Sequence, residues 1–89
     1  MAWNLEFSPA AEKELSKLDP AVKARILKFL FNRVAQSDDP KTLGEPLQGS
    51  RFAGAWRFRV GDYRIVVRIY KDRLLVMVVE VGHRREVYR

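Results

Sequence analysis

Hydrophobic residues near the start of the chain fall two apart. Trp3, Leu5 and Phe7 alternate with polar neighbours, and this spacing predicts a short strand. The period then lengthens. Ala11, Leu15 and Leu18 share one face of a helix, and Val22, Ile26, Phe29, Leu30 and Val34 form the apolar stripe of a second, widened by Leu27 and Phe31. Ser8-Pro9 and Asp19-Pro20 supply the two starts, each an N-cap residue followed by proline at the first helical position. Lys23, Arg25, Lys28 and Arg33 are left for the solvated flanks of the second helix. Residues 37–54 hold Asp38-Asp39-Pro40, Gly44, Pro46, Gly49 and Gly54, which predicts a loop.

Alternation by two returns at Trp56, Phe58 and Val60, now with Arg57 and Arg59 in between. Gly61-Asp62 reads as a two-residue hairpin loop, with glycine supplying positive φ. That loop pairs Val60 with Tyr63, Arg59 with Arg64 and Arg57 with Val66. One face then carries Trp56, Phe58, Val60, Tyr63, Ile65, Val67 and Ile69, and the other carries Arg57, Arg59, Arg64 and Arg68. Lys71-Asp72-Arg73 marks a second turn before a last strand, Leu74–Val81. A three-residue loop there places Leu75, Met77, Val79 and Val81 towards the core and Glu80 across from Arg64. The order is β-α-α-β-β-β, an α+β fold with two N-terminal helices packed on a small, mainly antiparallel four-stranded sheet. Eighty-nine residues form one domain, 1–89, that should bury roughly 60–65% of its unfolded surface.

Charge sharpens this pattern. Residues 1–50 balance seven basic against seven acidic side chains, whereas residues 51–89 carry ten basic and four acidic ones. The whole net charge of +6 therefore lies in the second half, and nine of its ten bases are arginine, whose planar fork of donors suits phosphate and base stacking. Arg59 directly opposite Arg64 should cost about 0.2–1 kcal/mol relative to a neutral pair. A local rule broken without local benefit points to a site, here one for a polyanion. With no cysteine, disulfides, thiolate nucleophiles and cysteine-based zinc sites are excluded. Neither a secretory leader nor a membrane-spanning run is legible, so the expected location is the cytoplasm. The end, Gly82-His83-Arg84-Arg85-Glu86-Val87-Tyr88-Arg89, places a histidine and a tyrosine among further arginines.

These segments resemble the RelE/ParE superfamily of type II toxins. The resemblance is carried by "WRFRVGDYRIVVRI" at 56–69 and "VEVGHRREVYR" at 79–89, supported by "LEFSPAAEKELSKLDPAVKARI" at 5–26 and by Leu47-Gln48-Gly49. It implies two helices on an antiparallel sheet and, for RelE-type members, cleavage of messenger RNA in the ribosomal decoding site without metal or cofactor. There the ribose 2′-OH attacks the adjacent phosphorus, leaving a cyclic phosphate and a free 5′-OH. Arg57 and Arg59 fall where RelE has two strand lysines, Arg64 on the arginine of the Asp-Tyr-Arg motif, Arg84 on the arginine after the last strand and Tyr88 on the C-terminal tyrosine. The family pattern makes the first strand lysine a candidate general base, the arginines stabilisers of the transition state and the tyrosine a positioner of the nucleotide. Arginine at 57 cannot readily release a proton, so either phosphate contacts and alignment do most of the work, or His83, the one side chain with an ordinary pKa near neutrality, takes the proton-transfer role. Arg51, Arg68, Arg85 and Arg89 are expected as further RNA contacts. The implied partners are the ribosome, its message and an acidic, RelB-like antitoxin, with no membrane involved. A ParE-like inhibitor of DNA gyrase, without ribonuclease activity, is the alternative.

Overall fold

The computed structural model describes residues 2–49 and 53–83. Strand β1 (Asn4–Phe7) leads into helix α1 (Pro9–Ser16) and helix α2 (Pro20–Phe29), which continues as a wider π-helical turn over Leu30–Val34. After a short 3-10 turn at Pro40–Leu43 come β2 (Glu45–Pro46), β3 (Trp56–Val60), β4 (Tyr63–Tyr70) and β5 (Leu75–His83). Both helices lie on one face of a five-stranded sheet of order β1-β5-β4-β3-β2, in which only β1–β5 is parallel. No helix of the described residues is long and apolar enough to cross a membrane.

The sheet thus has one strand more than the hydrophobic pattern predicts. The extra strand is Glu45–Pro46, inside the stretch read as a loop. Two residues are too few to show alternation, and proline is tolerated at an edge, where its missing N–H faces away from the partner.

The hairpin register is as the sequence predicts: Val60 pairs with Tyr63, Arg59 with Arg64 and Arg57 with Val66. Gly61 has φ +59° and Asp62 does not share that sign, the pattern of a type II′ turn. Behind the hairpin, Phe58, Ile65 and Val67 are fully buried against Ile26, Leu30 and Val34 of the second helical stretch. Phe31 does not join that stripe. It is 49% exposed, with its ring 6.5 Å from that of Phe7.

The last strand departs from its expected facing. A bulge at Val79, between the pairs Val67–Val78 and Val66–Glu80, reverses the alternation part-way along β5. Val76, Val78 and Val81 face the helices, rather than Leu75, Met77 and Val79. Gly82, not Glu80, lies across from Arg64. An uninterrupted apolar run, Leu74–Val79, has no alternation from which its faces could be read. The bulge is anchored by Ser8: its hydroxyl donates to the Val79 carbonyl at 2.9 Å and accepts from the Ala11 N–H at 3.0 Å, capping α1. Asp19, placed as the matching cap of α2, makes no side-chain capping bond there.

Candidate functional site

β4 lies at the centre of the sheet, so Arg64 has a paired strand on either side and only 7% of its surface exposed. Arg59 is its direct cross-strand neighbour and Arg57 stands diagonally from it, opposite Val66. All three project from the face opposite the helices. Cross-strand neighbours on one face lie within about 4.5–5.5 Å at their Cβ atoms.

β2 brings a carboxylate to that cluster. Glu45 pairs with Arg57 across the strands and accepts a hydrogen bond from its guanidinium in an ion pair. The Arg57 hydrogen bond and charge, with Arg59 and Arg64 adding at longer range, hold the Glu45 carboxyl below its ordinary value of 4.5. Glu45 is the candidate residue that sequence reasoning missed. A glutamate in a Gly/Pro-rich stretch carries no periodic signal, and only the β2–β3 pairing shows where it goes.

Gly44 makes that pairing possible. A Cβ there would lie 2.3 Å from the Arg57 carbonyl oxygen and 2.6 Å from Cδ1 of Phe58. Neither the strand backbone nor a fully buried ring can give way. Gly44→Ala is therefore expected to detach β2 and cost about 1–3 kcal/mol, as overpacking typically does. A thermal melt reads this loss, and an unshifted Tm would show that β2 adapts.

The other predicted residues divide. Arg68 lies on the same face, but its guanidinium donates to the Ala53 carbonyl at 3.2 Å, tying down the segment before β3. The RNA contact expected of Arg68 thus competes with a structural tie. His83 pairs with Tyr63, their rings edge-on at 5.2 Å, in a cleft lined also by Glu14, Lys17 and Leu18 of the helical side. The fold does not bring His83 to the arginine face. Glu80 pairs with Val66, so it stands on the arginine face diagonally from Arg64 rather than directly across from it. Arg51, Arg84, Arg85, Tyr88 and Arg89 lie outside the described residues.

A family model described as the ParE toxin of the type II toxin–antitoxin system parDE matches residues 5–88. The chain belongs to the RelE/ParE toxin family. Toxin RelG of Mycobacterium tuberculosis is 32% identical over 89 residues, spanning 100% of this chain and 99% of that protein. The mRNA interferase toxin RelE of Escherichia coli K12 is 31% identical over 90 residues, covering 99% and 92%. Among solved structures, the RelBE2 toxin–antitoxin complex of M. tuberculosis superposes with a TM-score of 0.85 at 30% identity, covering 94% of this chain and 93% of the matched one. Membership in this toxin family agrees with a small domain that displays an arginine cluster on one side of its sheet.

Proposed function

We propose that this toxin is a ribosome-dependent endoribonuclease that cuts messenger RNA by attack of a ribose 2′-OH on the adjacent phosphorus. The observation that carries this reading is the placement of Arg57, Arg59 and Arg64 on one face with the Glu45 carboxylate held on Arg57. Guanidinium groups in a fixed array offer donors where the phosphorane's extra negative charge develops, before the substrate arrives. Glu45 supplies what Arg57 cannot, an ionised oxygen at neutral pH that takes the proton of the 2′-OH. The oxygen–phosphorus bond forms, the bond to the 5′ oxygen breaks, and that oxygen leaves with a proton drawn from solvent. Dependence on the 2′-OH restricts the reaction to RNA. Arg84 and Tyr88 join this assignment through the family pattern alone, as a further charge stabiliser and a nucleotide positioner.

An acidic antitoxin is the natural partner. Solved relatives include toxin–antitoxin complexes such as the intact RelBE complex of E. coli, and an arginine-rich face attracts an acidic segment that folds on binding. The family model's ParE description supports a second reading, inhibition of DNA gyrase without RNA cleavage.

One experiment separates the two. Purified protein added to a cell-free translation reaction is expected to cut the message at defined codon positions, and an added cognate antitoxin to stop it. Intact messages together with loss of gyrase supercoiling would overturn the ribonuclease reading in favour of the second.

A further inference from the structure

Arg33 takes no part in the chemistry above, and the hydrophobic pattern leaves it on a solvated helix flank. The fold gives it a more particular setting. Among the described residues β2 pairs with β3 only at Trp56 and Arg57, and no strand pairs with the outer edge of Phe58–Val60. Beside it lies a cleft of about 360 Å³, bordered by Arg57 and Arg59 of the sheet, Phe29 and Arg33 of the second helical stretch, and the Thr42–Glu45 segment. That volume is within the range of small-molecule sites and large enough for one nucleotide.

The Arg33 guanidinium lies over the Phe29 ring, its central carbon 5.8 Å from the centroid. Phe29 is itself fixed by an edge contact with fully buried Phe58, their centroids 5.7 Å apart. Arg33 also falls in the wide turn at Leu30–Val34, where the Ala35 N–H bonds the Leu30 carbonyl at 2.9 Å. Such single wide turns gather at functional sites. Three arginines and one glutamate give the cleft a formal charge of +2 (3 − 1), with the glutamate already on Arg57. A planar cation held over a core-anchored ring on one side leaves its other side for a second flat, electron-rich group.

We propose that this cleft is a nucleotide subsite for single-stranded RNA. A base flanking the cut phosphate stacks on the outer side of the Arg33 guanidinium, while Arg57 and Arg59 hold its phosphate. The strand thereby turns over the open edge of β3, from the arginine face towards the helices. This subsite rests on the ribonuclease reading.

The test uses a fluorescent, single-stranded 2′-O-methyl RNA decamer, which lacks the attacking hydroxyl and stays intact. Its binding is followed by anisotropy over a series of salt concentrations. Arg33→Ala is expected to weaken binding about tenfold, the loss typical of one stacked base. Arg33→Lys keeps the charge and loses the plane, so it should bind about fivefold more weakly than wild type with an unchanged salt slope. Lysine binding as well as arginine, alanine within twofold of wild type, or a wild-type protein that fails to bind would each overturn the subsite. Cleavage of a ribosome-bound message by the wild type, scored in parallel, decides the ribonuclease reading separately. Binding lost in Arg33→Ala beside a message left uncut would keep the subsite and remove that reading alone.

Discussion

Arg64→Ala is expected to slow cleavage of a ribosome-bound message by about 10²–10³-fold while leaving the protein folded. The rate loss follows from removing a fixed donor at the centre of the array that meets the phosphorane, a defect of the size seen when one such donor is deleted elsewhere. The fold survives because the substitution acts on stability in two directions. It removes packing of a nearly buried side chain, and it also removes the like-charge contact with Arg59. Single-turnover cleavage gives the rate, and a thermal melt checks the fold. Arg64→Lys restores charge without the two-pronged geometry and should fall between wild type and alanine. Cleavage by Arg64→Ala at the wild-type rate would remove the arginine cluster from the mechanism.

That cluster was readable in the sequence because a two-residue turn fixes everything beyond it. Once Gly61-Asp62 is the loop, strand alternation leaves Arg57, Arg59 and Arg64 only one shared face, and the fold agrees. β5 was opaque for the opposite reason. Valine, methionine and leucine follow one another without a polar marker, so nothing signals the bulge at Val79, and the facing assigned to Leu75, Met77 and Val79 was reversed. Helix stripes were legible at Ile26, Leu30 and Val34, but Phe31 shows that an apolar residue beside a stripe need not be inside. Glu45 and His83 mark the limit. The chemistry of each is plain from its side chain, whereas its position depends on pairings 12 residues away for Glu45–Arg57 and 20 (83 − 63) for His83–Tyr63.

Glu45→Gln carries the other large effect, an expected loss of about 10²–10⁴-fold in the same assay. Glutamine matches glutamate in size and still accepts a hydrogen bond from Arg57, so β2 stays in place and only the proton acceptor is lost. The pH dependence separates this role from a structural one. With its carboxyl held below 4.5 by Arg57, the wild-type base is ionised throughout the neutral range, and activity on the acid side should persist down to that lowered value. Stability follows the same sign: the ion pair contributes above the ordinary value and is lost as pH falls through the lowered one. That contribution is small, because the Glu45 side chain is 65% exposed. Glu45→Gln should lose the acid limb together with the rate, and His83→Ala should cut within a few-fold of wild type. Full activity in Glu45→Gln, with the loss appearing in His83→Ala instead, would return proton transfer to the histidine.

The parallel pairing of β1 with β5 also has a consequence for when the molecule becomes active. Asn4–Phe7 finds its partners at Leu75–Val78, and Ser8 bonds a carbonyl 71 residues further on. Closing so long a loop costs entropy before any contact repays it. During synthesis, the hairpin of Arg59 and Arg64 can form locally, but the first strand waits for the last. The sheet that supports the arginine face is therefore complete only once Leu75–Val78 have emerged.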